Sequence, residues 1–239
     1  MKAIILVAGV GKRLFPITLE TPKCLIHFGG KPLLQYYFEY LKNLKVSSIV
    51  LVVGHLREQV NAFAGISWKG IPVRYYESPD IHGGSLLSLW SAREELNEEV
   101  LIMDGDVFYP EAMLARLIQS KHPNCFLADP SSPNTGEEQV LYADNGRVVY
   151  ISKKPYTQFK PVGESVGFLK LSKSTADELR KILEEFVAAG KKGIEHEETY
   201  PTLMERCPIG YESVNDLKWT EIDSKEDVET AKQLAKPKP

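Results

Sequence analysis

A glycine-rich turn near the amino terminus is the most specific chemical signal in the sequence. The apolar run Lys2–Val7 is typical of a buried strand, and it leads directly to Gly9 and Gly11. Glycines at such a turn let backbone N–H groups approach a phosphate chain without interference from Cβ atoms. Arg13 and Lys23 follow and would add fixed positive charge. The segment predicts a polyphosphate site, although an ordinary strand-to-helix turn with surface cations would share the short Gly-x-Gly pattern.

Two common phosphate-binding motifs do not match this turn. A dinucleotide-binding fingerprint requires a third glycine at the position where this chain has Leu14. The GxxxxGK[ST] pattern of P-loops does not occur in the sequence. A Rossmann dinucleotide site and a P-loop are therefore both poor explanations of the turn.

Two pairs of carboxylates follow predicted strands and form a candidate metal site. Asp104 and Asp106 come directly after the apolar run 100–103, at the end of a strand where α/β sheets place their ligands. Glu221 and Asp223 are two residues apart and would share one face of a late strand. Hard cations such as Mg²⁺ prefer carboxylate and phosphate oxygens, so these pairs predict Mg²⁺ beside the phosphates. A turn would also explain Asp-Gly-Asp, and Asp223 could simply begin the last helix.

Alternating apolar segments must bring these residues together. Between residues 2 and 120, buried strands alternate with stretches of helical periodicity, which indicates an α/β fold with a largely parallel sheet. The pattern changes afterwards, because Asn-Gly between the alternating runs 139–143 and Arg147–Ser152 is a strong hairpin signal. The later part of the chain is therefore predicted to be more antiparallel and to complete a pocket.

The length of 239 residues and the absence of a linker or repeat indicate a single domain. We predict that this domain covers residues 1–235, with a parallel half over 1–120 and a more antiparallel half over 121–235. The last four residues, Lys-Pro-Lys-Pro at 236–239, cannot continue a helix and are expected to be a frayed tail.

Composition excludes several classes of protein. The chain has 29 Lys+Arg and 32 Asp+Glu, a net charge of −3, which lacks the basic footprint of a general nucleic-acid binder. No apolar run approaches the roughly 20 residues needed for membrane insertion. The three cysteines are widely spaced without a CxxC pair, so neither a disulfide framework nor a zinc site is supported. We expect a cytoplasmic protein.

The motifs together resemble a known family. The run AGVGKRLFPIT, the following Pro-Lys and Gly-Lys-Pro-Leu, and the late phrase WTEIDSKED are similar to the signature of nucleotidyltransferases that join an NTP to a sugar phosphate or phospho-alcohol and release pyrophosphate. The positions that carry the amino-terminal match are Gly9, Gly11, Arg13, Leu14, Pro16, Thr18, Pro22, Lys23, Gly30, Lys31, Pro32 and Leu33. The resemblance implies a Rossmann-like, three-layer α/β fold with a mostly parallel mixed sheet, of the nucleotide-diphospho-sugar transferase type. It also implies a nucleotide-binding half over 1–120 and an acceptor-binding half over 121–235.

The resemblance assigns roles to the charged residues. Arg13 would contact the departing β- and γ-phosphates, and Lys23 would stabilise charge at the α-phosphate. Asp104 would lie nearer the sugar or support the site. The magnesium ligands implied by the family are Asp106, Glu221 and Asp223. The remaining nucleotide contacts are expected from Leu6, Ala8, Gly9, Gly11, Gly54, Gly84 and Ser85.

The choice of nucleotide and acceptor depends on finer similarities. The segment 83–89 lacks the Gly-Thr-Ala core of sugar-1-phosphate enzymes and looks more like bacterial CTP:phosphocholine and CTP:inositol-1-phosphate cytidylyltransferases. CTP and a small phosphorylated alcohol or amine are therefore expected. The alternatives are a sugar-1-phosphate nucleotidyltransferase that uses UTP, dTTP or GTP, and a non-catalytic nucleotide-sensing subunit. A homodimer is also among the expectations.

The acceptor is expected to bind in the later half of the chain. The candidate contacts are Glu138, Tyr142, Lys153, Glu164 and Trp219. Tyr142 and Trp219 are the better candidates for an aromatic cage around a quaternary ammonium group. The loop Glu137-Glu138-Gln139 lies where the phosphocholine enzymes place an aromatic residue. Its acidic composition favours a primary amine or a hydroxylated acceptor held by Glu138 and Glu164. Lys153 resembles the lysine that holds the acceptor's phosphate, although a solvated lysine at a strand end is an equally good explanation.

Overall fold

The computed structural model of the protein describes residues 1–132, 136 and 138–236, so residues 237–239 of the predicted tail lie outside the described part. The strands are β1 (Lys2–Val7), β2 (His27–Phe28), β3 (Lys31–Pro32), β4 (Ser48–Val53), β5 (Ser67–Trp68), β6 (Ile71–Glu77), β7 (Val100–Asp104), β8 (Val107–Phe108), β9 (Cys125–Asp129), β10 (Val140–Asp144), β11 (Arg147–Ser152), β12 (Lys160–Leu171), β13 (Gly210–Ser213) and β14 (Thr220–Glu221). The helices are α1 (Ile17–Glu20), α2 (Leu33–Asn43), α3 (Arg57–Ala64), α4 (Leu86–Ser91), α5 (Glu111–Gln119), α6 (Lys173–Ala188), α7 (Tyr200–Arg206) and α8 (Lys225–Leu234).

The centre of the main sheet is parallel. Strands β7, β1, β4 and β6 lie side by side in that order, and each neighbouring pair runs parallel. All six residues of β4 are buried, as expected for a parallel strand that is covered on both faces. The alternation of strands and helices in the first 120 residues therefore predicted this part of the sheet correctly.

Helices cover both faces of the sheet and give the molecule three layers. Successive side chains of a strand point to opposite faces. Ala3 and Ile5 of β1 accordingly pack into a core that includes residues of α2, α3, α5 and α8. Ile4 packs into a second core with residues of α4, α6 and α7. The predicted three-layer α/β fold with a mixed sheet is therefore confirmed. In addition, none of the described helices has the length and apolar character needed to cross a bilayer.

Antiparallel strands extend the sheet in the later part of the chain. The long strand β12 pairs antiparallel with β7, β9 and β10. The predicted hairpin is present as β10 and β11, and Asn145 and Gly146 at its turn have φ of 47° and 79°. Positive φ at both turn residues is what the Asn-Gly signal requires. Strands β9 and β13 were not predicted, because these short segments lack a clear alternation of apolar and polar residues.

Candidate active site

A cleft of about 980 Å³ opens at the carboxyl ends of the parallel strands β1 and β7. This is the edge at which α/β sheets bind their ligands. The predicted site residues that line the cleft are Leu6, Ala8, Gly9, Gly11, Arg13, Lys23, Gly84, Ser85, Asp104, Asp106, Glu138, Lys153, Glu164, Trp219, Glu221 and Asp223. Residues from the first, middle and last parts of the chain thus face one space.

Two predicted contact residues, Gly54 and Tyr142, are not among the residues that line the cleft. A Cβ atom on Gly54 would lie 2.5 Å from Ile81 and 2.7 Å from the carbonyl oxygen of Ala8, so Gly54 packs behind Ala8. Tyr142 is 4% exposed, and its hydroxyl accepts a hydrogen bond from the backbone N–H of Tyr156. Glycine is needed at the first position for close packing, and the second side chain belongs to an aromatic cluster.

The glycine-rich turn contains a residue, Gly11, in the left-handed backbone conformation. Gly11 has φ of 66°, and its carbonyl oxygen accepts hydrogen bonds from the Thr18 hydroxyl and the Leu14 backbone N–H. A Cβ atom on Gly11 would lie 3.0 Å from the Thr18 methyl group. The space beside Gly9 is free to 4 Å within the described part of the chain. The turn therefore exposes its backbone to the cleft, as its composition predicted.

The Asp-Gly-Asp segment lies against the end of β1 at a point where only glycine fits. The backbone N–H of Gly105 donates to the carbonyl oxygen of Leu6 at 3.0 Å. A Cβ atom on Gly105 would lie 2.3 Å from a methyl group of Val7. The chain turns here, and the carboxylates of Asp104 and Asp106 consequently join two different clusters.

Asp106, Glu221 and Asp223 form the first of these clusters. Their carboxylates offer oxygen atoms that all lie within 4.8 Å of one another. Strand β14 runs antiparallel to β8 and places Glu221 opposite Val107. The backbone N–H of Ile222 donates to the carbonyl oxygen of Asp106 at 2.8 Å. Backbone pairing thus joins the two acidic motifs that the sequence analysis selected separately.

Two cations border this cluster. The Lys23 ammonium donates to Asp106 Oδ2 at 3.0 Å and to Asp223 Oδ1 at 2.7 Å, and the Arg13 guanidinium donates to Asp223. Burial alone would lower the pKa of Lys23, but Asp106 and Asp223 attract the proton and raise that pKa. Burial opposes ionisation of Asp223, yet Lys23 lowers its pKa below the usual value. Lys23 and Asp223 are therefore both charged near neutral pH.

The cluster has the donor chemistry of a site for a hard divalent cation. Although Glu221 is exposed at the mouth of the cleft, partial loss of hydration, followed by repulsion from Asp106 and Asp223, raises its pKa to about 9. A bound divalent cation would relieve this repulsion between carboxylates. Because Mg²⁺ prefers carboxylate oxygens, Asp106, Glu221 and Asp223 are suited to hold it.

The second cluster contains residues that the sequence analysis missed. Asp104, His196 and Glu197 offer ligand atoms that lie within 4.8 Å of one another. His196 is 2% exposed, and its Nδ1 lies 2.8 Å from the Ser85 hydroxyl oxygen, while the Ser85 backbone N–H donates to Glu195. Burial and the neighbouring Glu197 raise the pKa of Asp104 well above its usual value. The local pattern in this segment is a capping box formed by Glu195 and Glu198. That pattern predicts a helical turn, but it does not predict that the segment contacts Ser85.

The remaining wall holds the predicted acceptor residues. Glu138, Lys153, Glu164 and Trp219 line it, together with Asp129 at the end of the missed strand β9. The register of β9 and β12 places Glu164 opposite Asp129. The indole N–H of Trp219 donates to Asp129 Oδ2 at 2.8 Å. Asp129 is therefore part of the predicted acceptor region, and a correct prediction of β9 could have drawn attention to it.

Comparison with curated proteins relates the chain to two bacterial enzymes. It is 33% identical over 156 residues to the CMP-5'-(3-aminopropyl)phosphonate synthase of Streptomyces rubellomurinus, which covers 64% of this chain and 25% of that protein. It is 30% identical over 234 residues to the bifunctional IPC transferase and DIPP synthase of Aquifex aeolicus, which covers 97% of this chain and 51% of that protein. The chain thus spans about a quarter of the length of the Streptomyces protein and about half of the length of the Aquifex protein.

A solved structure and a family model complete the comparison. The CTP:phosphocholine cytidylyltransferase of Streptococcus pneumoniae has the same fold, with a TM-score of 0.77 at 22% identity and coverage of 98% of this chain and 99% of that one. The model described as nucleotidyl transferase matches residues 2–219. This match confirms the resemblance that the glycine-rich and acidic motifs indicated. The chain therefore belongs to the nucleotidyl transferase family of enzymes.

Proposed function

We propose that this protein is a Mg²⁺-dependent cytidylyltransferase that converts CTP and a small phosphorylated alcohol or amine to a CDP-linked product and pyrophosphate. The observation that carries the proposal is the convergence of Arg13 and Lys23 with Asp106, Glu221 and Asp223 in one cleft. This arrangement combines cations for a triphosphate with oxygen donors for a divalent metal.

The reaction needs no protein nucleophile. An oxygen of the acceptor's phosphate attacks the α-phosphorus of CTP, and the bond from this phosphorus to the bridging oxygen of the β-phosphate breaks. Pyrophosphate leaves with the electron pair of that bond. Lys23 would stabilise the charge at the α-phosphate, and Arg13 would hold the departing phosphates. Mg²⁺ on Asp106, Glu221 and Asp223 would neutralise phosphate charge, while the cleft positions the reactants.

Two observations support a cytidine nucleotide and a small acceptor. The segment 83–89 lacks the Gly-Thr-Ala core of the sugar-1-phosphate enzymes. The name of the Streptomyces relative refers to a CMP-linked aminoalkyl phosphonate.

The cytoplasmic location, the homodimer and the division of roles between residues 1–120 and 121–235 stay predictions.

The test is pyrophosphate release across CTP, UTP, dTTP and GTP with a panel of phosphate esters, with Mg²⁺ and with excess chelator. We expect CTP with a small phospho-alcohol or phospho-amine to give the highest turnover, and chelation or the substitution Asp106→Asn to abolish it. Turnover with UTP and glucose 1-phosphate but none with CTP would show a sugar-1-phosphate enzyme. Binding of CTP without turnover of any pair would show a nucleotide sensor.

A further inference from the structure

We infer that the acceptor carries a protonated primary or secondary amine, which is selected by three carboxylates on one wall of the cleft. These carboxylates belong to Asp129, Glu138 and Glu164, here named the acidic wall. The inference rests on the proposed function, because it concerns the acceptor of that reaction. It goes beyond the proposed function because it names the chemical group of the acceptor that the cleft recognises. That group lies at the end of the acceptor opposite its reacting phosphate.

The sheet forces two members of the acidic wall to face each other. Glu164 on β12 is the register partner of Asp129 on the antiparallel strand β9, and both line the cleft. Side chains directly opposite each other on such strands have Cβ atoms about 5 Å apart. Like charges in this position destabilise a sheet, so the pair is unfavourable unless a cation lies between or beside the carboxylates.

The described part of the chain supplies no such cation. No lysine, arginine or histidine in it forms an ion pair with Asp129 or Glu164, although Lys153 and Lys218 line the same cleft. Asp129 is 7% exposed, and its oxygens accept hydrogen bonds from neutral donors on Ser131 and Trp219. Burial raises the pKa of Glu164; a hydrogen bond with the neutral Ser132 hydroxyl opposes this, and the charges of Glu138 and Asp129 add to it. A cationic ligand would neutralise this wall.

The chemistry of the wall favours a cation with N–H donors. Carboxylates only accept hydrogen bonds, and an ammonium group offers up to three donors, so the contacts are charge-assisted and strong. A quaternary ammonium has no N–H group and needs several aromatic faces. Trp219 is the only tryptophan, tyrosine or phenylalanine among the described residues that line the cleft, since Tyr142 packs elsewhere. One ring does not form a cage, and a neutral hydroxyl would leave the negative charge unbalanced.

The binding experiment compares three acceptors that differ only at the far end. Isothermal titration calorimetry measures 2-aminoethyl phosphate, its trimethylammonium analogue and 2-hydroxyethyl phosphate with the full chain, Mg²⁺ and a non-hydrolysable CTP analogue. We expect the amine to bind at least about tenfold more tightly than the other two, as the gain from a charge-assisted hydrogen bond implies. Equal or tighter binding of either analogue would overturn the inference.

A charge-neutralising variant tests the residues. In Glu164→Gln the amine should bind about tenfold more weakly, whereas the hydroxyl analogue should change less than about threefold. Glu205→Gln removes the same charge on α7, outside the cleft, and should leave all three affinities unchanged. Asp129→Asn, which keeps an oxygen for the Trp219 N–H, provides a second variant if Glu164→Gln does not fold. Equal weakening of all three acceptors in both wall variants would contradict selection of the amine.

The failure of this inference is distinct from failure of the proposed function. Absence of pyrophosphate release with every nucleotide and ester would remove the proposed reaction, but the order of binding affinities would still decide whether the wall selects an amine. Turnover that is equally fast with the hydroxyl and trimethylammonium esters would keep the reaction and remove the inference.

Discussion

At the scale of single residues, the site depends on charges that balance each other across the cleft. Lys23 lies between Asp106 and Asp223, and the Arg13 guanidinium contacts Asp223 from the glycine-rich turn. The two carboxylates keep the Lys23 ammonium charged despite its burial. A fixed cation in a cleft with little water can stabilise a developing negative charge without reorganisation.

The residue-scale prediction concerns Lys23→Ala. Removing the ammonium should lower kcat about 100-fold, because a preorganised charge for the α-phosphate in the transition state is lost. The KM for CTP should change much less, since Arg13 and the backbone of the turn remain. Steady-state pyrophosphate release measures both parameters. Lys121→Ala, outside the cleft, is the control, and an unchanged kcat in Lys23→Ala would remove the proposed role.

At the scale of elements, the start of α8 positions a proposed metal ligand. Asp227 Oδ2 accepts hydrogen bonds from the Asp223 N–H at 3.1 Å, the Ser224 N–H at 2.7 Å and the Ser224 hydroxyl at 2.8 Å. Ser224 and Asp227 form the capping box that the sequence Ser-Lys-Glu-Asp indicates. A local helix signal therefore also orients Asp223 toward the cleft.

The first element-scale prediction concerns Asp227→Ala. Loss of the cap should lower the free energy of unfolding by about 1 kcal/mol. The Mg²⁺ concentration for half-maximal activity should rise about tenfold, because the Asp223 backbone is no longer held. Urea denaturation and a Mg²⁺ titration measure these effects. The neighbouring variant Glu226→Ala should change neither, and an unaltered Mg²⁺ requirement in Asp227→Ala would refute the positioning role.

The second element-scale prediction concerns the contact between β7 and β1. A methyl group at Gly105 would meet Val7 at 2.3 Å and the Leu6 carbonyl oxygen at 2.7 Å, within the sheet itself. Gly105→Ala should therefore lower the free energy of unfolding by about 2 kcal/mol and Tm by about 6 °C. Gly193→Ala is the matched control, since nothing in the described chain lies within 4 Å of its added Cβ. Calorimetry that gives equal Tm values for the two variants would contradict the close approach.

At the scale of the whole molecule, the two ends of the sheet carry different charged groups. The carboxyl ends of β1 and β7 border the cleft, whereas Lys2 at the amino end of β1 forms a buried ion pair with Glu95 at 2.7 Å. Arg74 and Tyr76 also donate to Glu95. The cluster at the amino end therefore concerns the stability of the fold and lies apart from the proposed chemistry.

The whole-molecule prediction concerns Glu95→Gln. This change leaves the buried Lys2 ammonium without its main counter-charge and should lower the free energy of unfolding by about 3 kcal/mol. The KM for CTP should stay within about twofold of the wild-type value, because substitutions at distant sites act almost independently of each other. Urea denaturation and steady-state kinetics check the two expectations. Glu99→Gln is the exposed control, and a large change in KM for Glu95→Gln would show coupling between the ends of the sheet.

Patterns among neighbouring residues were sufficient to predict much of the structure of this protein. The parallel strands, the Asn-Gly hairpin and the cap of α8 follow from apolar periodicity and turn chemistry over a few residues. The glycine-rich turn and the acidic motifs, matched to a family, indicated the cleft residues Arg13, Lys23, Asp106 and Asp223. By itself, the sequence determined the fold class and the residue types from which a nucleotidyl transferase site is built.

Contacts between distant segments were decided only by the tertiary structure. Asp104 and Asp106 join different clusters because the chain turns at Gly105, where it packs closely against β1. His196 reaches Ser85 only after its segment packs on the loop before α4. Glu164 faces Asp129 because β12 pairs with β9, a strand without a clear local pattern. The physical reason is that such pairings depend on sheet register and close packing, which short-range propensities do not encode.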